Sequence, residues 1–390
     1  MMADEPPEPS RVRERATAAC RRVLDAFSAD GSGGEPREVI GAGLAAFAEA
    51  GLFDLGVLQT NAPGPEASKI GARDMRTAAA AMEAIAGHSG WLASTYMVNL
   101  IIAGACVVIA GSPSQRSELL PRLRSGRLQL AFALTEPGAG SDAAAMTTTA
   151  EPDGDGYRLN GEKIYTTGAA TADHLLVVGR VVPTEDRRAL TLFLVPRGAQ
   201  ALSIEPLPTM AGGPHASCHV RLDGVRVEGE DVLGGPAGVG KAWGVLRVTG
   251  TLERLMVAAL ALGLASAAVE RAVTFAKERR QFGQAIAGFQ AIQHTLVEMR
   301  TIETGMRLFV DHALSEMEAG DATEAVCMAK YWCSEQLQRI VAMGMRVLGG
   351  RAYFGFEDMA RYAREAPFSL YAGGTIEIQK MLIARQMGLT

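Results

Sequence analysis

The sequence predicts an α+β chain in which a helical region, a β-rich region and a second helical region follow one another. Three observations carry that prediction. Residues 11–127 alternate polar stretches with alanine- and leucine-rich ones, β-branched runs are confined to the middle of the chain, and helical spacing returns after Gly240.

The first region has breaks at residues 30–34 and 61–65, which suits several helices of medium length. Its most apolar run, residues 100–110, is shorter than the roughly 18 to 20 residues that span a bilayer and reads as a buried helix. From Leu128 the texture changes, with strands expected over 174–182, 190–195 and 219–227. The pairs Asp153-Gly154, Asn160-Gly161 and Asp223-Gly224 mark expected hairpin turns. Further on, Phe289, Ile292, Leu296, Met299, Ile302, Met306 and Phe309 recur at helical steps, as a core or helix–helix seam requires. The expected domains are residues 1–127 (helical), 128–236 (β) and 237–390 (helical).

A chain of 390 residues with 48% hydrophobic and 21% charged content can bury one large core or several smaller ones. The net charge of -5 gives no general electrostatic case for nucleic acid or an anionic membrane as partner. Residues 1–15 carry Asp4, Glu5, Glu8 and three prolines where an export signal has a basic flank and an apolar stretch, so a cytoplasmic protein is expected. Five scattered cysteines with no CxxC pair agree with a reducing compartment and read as core filler. No HExxH pattern occurs, His215 and His219 lie among turn and β-type residues, and no metal site is expected.

Chemistry concentrates in Phe132-Ala133-Leu134-Thr135-Glu136-Pro137-Gly138-Ala139-Gly140-Ser141-Asp142. A strand there runs into a proline and two glycines, so backbone N–H groups can turn toward an oxygen-rich anion, flanked by the hydroxyls of Thr135 and Ser141. Taken alone, the segment also reads as an ordinary strand exit. Gly138, Gly140 and Ser141 form only GxGxS inside a β-rich stretch, and the dinucleotide fold needs its glycine turn between a strand and a helix.

Thr135 to Asp142, TEPGAGSD, resembles the signature of the acyl-CoA dehydrogenase family. Four more blocks follow in family order: Asn160-Gly161-Glu162-Lys163 with Ile164-Tyr165-Thr166-Thr167; Arg279-Arg280-Gln281-Phe282-Gly283 with Phe289-Gln290; Arg346-Val347-Leu348-Gly349-Gly350; and Gly373-Gly374-Thr375-Ile376-Glu377-Ile378-Gln379. The resemblance implies an N-terminal helical domain, a central β-barrel-like or β-sandwich domain and a C-terminal four-helix bundle, assembled as a homotetramer or homodimer. It implies FAD as cofactor, an acyl-CoA or carrier-protein-bound acyl thioester as substrate, and an electron-transfer flavoprotein or oxygen as acceptor. By the same resemblance, Phe132, Leu134, Thr135, Gly140, Ser141, Tyr165, Thr166 and Thr167 match flavin-side positions, Tyr165 standing where a tryptophan is common. Arg279, Gln281, Phe282, Gln290, Gly349, Gly350, Thr375 and Glu377 match further cofactor contacts, Arg279 and Gln281 in a segment that reaches a second subunit's FAD. Arg346 stands where glutamine is frequent. Ser141, Arg254 and Gly374 match substrate-side positions.

Dehydrogenating a thioester needs a desolvated carboxylate to take the α proton. Many family members carry that glutamate immediately before the Gly-Thr of the last block, and here the position is Gly373. Thr251-Leu252-Glu253-Arg254-Leu255-Met256-Val257-Ala258 resembles the helix segment that supplies the base in the isovaleryl and long-chain branches. Moving the carboxylate from loop to helix avoids two like charges in one pocket. Glu253 is therefore the candidate base, expected on a buried helix with a raised pKa, and the Gly373 N–H is the candidate donor to the thioester carbonyl. A carrier-protein dehydrogenase and a flavin monooxygenase on the same fold are the alternatives, and a non-catalytic flavin-binding scaffold ranks behind them.

Overall fold

The structure, a computed structural model, describes residues 8–28, 31–55, 57–58, 72–320 and 322–389. Asp4, Glu5, Asp30 and the expected break at 61–65 lie outside the described residues. The chain forms two compact units, one of Arg15–Met75 and Trp91–Glu253, the other of Glu8–Glu14, Arg76–Gly90 and Arg254–Thr390, with their boundary inside one long helix.

The N-terminal helices are α1 (Pro9–Phe27), α2 (Pro36–Glu49), α3 (Ala72–His88), α4 (Gly90–Tyr96), α5 (Ala105–Ala110) and α6 (Pro113–Arg124). Between α4 and α5 the backbone is wound as a π-helix over Met97–Gly104. The helical run from Gly90 to Ala110 covers 21 residues, so the expectation that it is too short to cross a bilayer is corrected by length. Its apolar window is 89% buried inside the protein. The π-turn places Asn99 where its Oδ1 accepts the N–H of Leu130 at 2.9 Å, which ties this helix to the first strand. Helix α6 begins with a capping box, Ser112 accepting the N–H of Gln115 and the Gln115 side chain accepting the N–H of Ser112.

The middle of the chain is one seven-stranded sheet of β1 (Leu130–Ala133), β2 (Thr149–Asp153), β3 (Gly156–Thr167), β4 (His174–Val181), β5 (Leu190–Pro196), β6 (Leu202–Pro206) and β7 (Ser217–Glu228). β4 is its branch point. One edge pairs in parallel with β1 and then β2, and the other pairs antiparallel with β5. Residues 175–179 of β4 are buried without alternation, as a strand covered on both faces requires.

The expected turn at Asp153-Gly154 joins β2 to β3 as a hairpin. The other two pairs are not turns. Asn160-Gly161 lies inside β3 and Asp223-Gly224 inside β7, where the register slips so that Gly224, at φ +76°, is the extra residue of a β-bulge. Turn chemistry is also bulge chemistry, and only strand pairing separates the two. A Cβ on Gly161, at φ +142°, would lie 2.6 Å from Thr148 Oγ1 and 2.8 Å from Thr148 Cα. Gly161→Ala is therefore expected to cost about 1 to 3 kcal/mol, read as a lowered midpoint in urea with an unchanged m-value.

The C-terminal region holds α7 (Ala242–Glu278), a two-stranded hairpin of β8 (Arg280–Gln281) and β9 (Gln284–Ala285), then α8 (Gln290–Ala319), α9 (Thr323–Leu348), α10 (Asp358–Glu365), α11 (Phe368–Tyr371) and α12 (Ile376–Gln386). On α8, Met299 and Met306 of the expected stripe are buried, while Ile292, Leu296, Ile302 and Phe309 are half-buried. Arg13 of α1 and Arg307 of α8 clamp the half-buried Glu83 of α3.

Candidate active site

In the β-containing unit the first two sequence blocks meet. Ile164 N–H donates to the carbonyl of Thr135 at 2.8 Å, which lays the exit of β1 beside β3. Glu136, named above only as part of a motif, turns inward as the anchor of this exit. Its carboxylate accepts the N–H groups of Thr147 and Thr148 at 2.6 and 2.9 Å and both threonine hydroxyls. Lys163, fully buried, donates to Glu136 at 2.8 Å and to the Leu134 carbonyl at 3.1 Å. Burial works against the Glu136 charge, yet the Lys163 ammonium and the threonine donors overcome it and hold the carboxyl down at about 2.

Fixed from beneath, the following residues form a tight turn closed by reciprocal Glu136–Ala139 backbone bonds of 3.1 Å. Gly138 faces open space and Gly140 has only Thr135 Cγ2 in range, so the backbone is accessible beside Ser141, itself exposed. Phe132, Leu134 and Thr135 are half-buried along the same segment. Between Lys163 and Thr166 the β3–β7 register slips again, and Tyr165 is swung out, 67% exposed at φ +60°. A tyrosine in the left-handed region carries a cost of about 1 to 2 kcal/mol, so the exposed ring is held out against its backbone preference. Thr166 is buried and its hydroxyl has no hydrogen-bond partner among the described residues, whereas the Thr167 hydroxyl pairs with Ser217 at 3.0 Å.

Just beyond, His215 is buried against Ser94 at 2.8 Å, and burial pushes its pKa down to about 4, so the ring is neutral at pH 7. His219 instead pairs with Glu162 at 2.8 Å. Neither role could be read from the sequence, because both depend on a partner distant along the chain.

Glu253 lies on α7, half-buried, just before the fully buried run from Leu255 to Leu262. The thiol of buried Cys106 is pushed up to about 12, by burial first and also by the charge of Glu253, so this carboxylate bears on the interior beside α5.

In the helical unit, the third and fourth blocks meet at an open cleft of about 600 Å³ lined by Arg279, Gly350, Arg271, Phe275, Arg351, Phe354 and Phe356. Glu357 bonds both Arg271 and Arg351 at 2.6 to 2.8 Å, which leaves Arg279 as the cleft guanidinium that Glu357 does not bind. Phe282, at φ +50° and 94% exposed, tops the β8–β9 hairpin with its ring edge against Phe289. Gln281, Gln290, Arg346 and Gly349 are exposed and do not line the cleft.

The last block forms a loop of two left-handed glycines, Gly373 at φ +67° and Gly374 at φ +91°, followed by Thr375, which caps α12 by accepting the Ile378 N–H. Glu377 sits exposed in the first turn of that helix. A Cβ on Gly373 would lie 3.4 to 3.6 Å from Arg254, so the loop position that lacks a carboxylate abuts α7 at the residue after Glu253. Arg254 is half-buried and its Nε is buried without a hydrogen-bond partner among the described residues.

Family models described as the acyl-CoA dehydrogenase N-terminal, middle and C-terminal domains match residues 7–127, 131–225 and 240–388. A 3-(aryl)acrylate reductase of Clostridium sporogenes is 35% identical over 80% of this chain and 83% of its own. The caffeyl-CoA reductase-Etf complex subunit CarC of Acetobacterium woodii is 34% identical over 78% of this chain and 80% of its own. A structure described as the FAD complex of PigA superposes with a TM-score of 0.84 at 26% identity, covering 100% of this chain and 99% of that one. The fold and these matches define an FAD-dependent oxidoreductase that acts on CH–CH groups. The chain belongs to the acyl-CoA dehydrogenase family.

The anchoring of the β1 exit is open to test. Lys163→Met leaves the Glu136 carboxylate buried without its counter-charge and is expected to cost about 3 to 5 kcal/mol in denaturant titrations. Because the folded carboxyl titrates near 2, below its ordinary value, the stability it contributes is present above about pH 4.5 and is lost as the pH falls toward 2. Glu136→Gln should flatten the pH dependence of stability across that window.

Proposed function

We propose that this protein catalyses the FAD-dependent α,β-dehydrogenation of an acyl thioester, with Glu253 as the base. The observation that carries the reading is the exchange of carboxylates. The loop position where many relatives hold the base is a left-handed glycine packed against α7, and a half-buried glutamate stands on α7 next to the residue that glycine touches. A carboxylate beside an apolar helical stretch is weakly solvated, which favours proton uptake from carbon.

Bound FAD supplies the acceptor for the hydride that leaves the β carbon. The residues present suit that cofactor. Tyr165 offers an exposed planar face, Thr166 a buried hydroxyl with no partner among the described residues, Gly138 and Gly140 an accessible backbone, and Arg279 a guanidinium in an open cleft. Phe132, Leu134, Thr135, Thr167 and the glycines 349 and 350 are assigned to the same role, with Gln281, Phe282, Gln290, Arg346, Thr375 and Glu377 as outer contacts. Ser141, Arg254 and Gly374 are assigned to the substrate, whose thioester oxygen would accept the Gly373 N–H and so acidify the α carbon. Exposed Phe282, Val297 and Leu308 support assembly of several copies. The relative named as part of an Etf complex supports an electron-transfer flavoprotein as acceptor.

A second reading concerns direction. Two relatives are named as reductases, and the same base, protonated, can return the α proton to an unsaturated thioester. An anaerobic screen of thioesters for flavin bleaching at about 450 nm tests the first direction, and reoxidation of chemically reduced protein by acryloyl-type thioesters tests the second. Glu253→Gln is expected to stay FAD-loaded and lose bleaching by at least about a hundredfold in either direction; a variant that bleaches at the parent rate removes Glu253 from the mechanism.

A further inference from the structure

Three polar side chains spaced one turn apart on α9 each reach a backbone carbonyl of residues 366–374. Lys330 donates to Gly374 O at 2.7 Å and to Leu370 O at 3.2 Å. Ser334 donates to Ser369 O at 2.8 Å, and Gln338 to Ala366 O at 2.9 Å. From α12, Gln379 donates to the carbonyls of Gly373 and Gly374 at 3.1 and 3.0 Å. The carbonyls of the glycine loop are thus all turned toward donors behind it. The N–H groups of Gly373, Gly374 and Thr375 donate to no partner among the described residues.

Neutral donors alone serve Ser369, Ala366 and Gly373, whereas Gly374 takes, beside the Gln379 amide, an ammonium with 0% exposure. A buried ammonium places a full charge behind this loop, which an amide making the same bond would not. We propose that Lys330 is a positioning residue for the reaction: its charge fixes the Gly373–Gly374 loop from behind and raises the positive potential at the loop amides. As Glu253 takes the α proton, the C–H electron pair moves to the thioester oxygen, and a positive potential at those amides favours that charge. The proposal rests on the base assignment above and deepens it.

The test uses FAD-loaded protein in D2O with 3-thiabutyryl-CoA and 3-thiaoctanoyl-CoA, whose sulfur in place of the β carbon permits loss of the α proton but no hydride transfer. Deuterium at the α carbon is read by mass spectrometry. Lys330→Gln keeps a donor and loses the charge; it is expected to slow exchange at least about tenfold with FAD content and thioester affinity retained. Lys330→Met should slow it at least as much, and Lys330→Arg should recover part of the rate. Ser334→Ala, which removes the adjoining rung without touching the charge, should lower the melting temperature and leave exchange within about twofold. Exchange at the parent rate in Lys330→Gln or Lys330→Met overturns the proposal. So does slowing that follows the loss of melting temperature equally in Lys330→Gln and Ser334→Ala. If the parent protein exchanges neither probe, the base assignment itself fails, a different outcome from failure at Lys330 alone.

Discussion

A buried ammonium must be surrounded by acceptors, and that requirement shapes one motif loop in each of the two units. Lys163 is sealed beneath the exit of β1, where it gathers the Glu136 carboxylate and the Leu134 carbonyl. Lys330 is sealed beneath the Gly373–Gly374 loop, where it gathers the carbonyls of Leu370 and Gly374. In both cases the charge holds a glycine-containing segment from its protein side, and at the β1 exit Gly138 and Gly140 leave the opposite side accessible. Glycine supplies the turn geometry, and the lysine selects one conformation from the many that glycine permits.

This pairing gives a physical reason for the absence of a carboxylate at position 373. A glutamate there would occupy a left-handed backbone position against Arg254. With glycine at 373 that backbone strain disappears. The helix then carries the acid group on a segment whose following residues, Leu255 to Leu262, are all buried and therefore rigidly placed.

The order of helix, sheet and helix was legible in the sequence because each period persisted over long stretches, as in the strand from His174 and the α8 seam from Ile292 to Phe309. The bulge at Gly224 and the place of Gly161 inside a strand were not, since Asn-Gly and Asp-Gly pairs carry the same local signal in a hairpin turn and within a bulged strand pair. Within the site, collinear motifs pointed to Tyr165, Arg279 and the glycine loop. They gave no role to Glu136, Lys163, Lys330 or Gln379. These four act through backbone groups 11 to 44 residues away, or through a helix end, and a linear pattern holds no record of a group brought near by folding. The isolated spacing of Lys330, Ser334 and Gln338 at four-residue steps was the one available signal, and without its partners it reads as a helix face.

The most direct measurement is a crystal structure of the FAD-loaded protein with 3-thiabutyryl-CoA bound. A Glu253 carboxylate oxygen within about 3.5 Å of the ligand α carbon, on the side away from the flavin, is the predicted result. A Glu253 side chain directed to solvent, or a different carboxylate at that carbon, would contradict it.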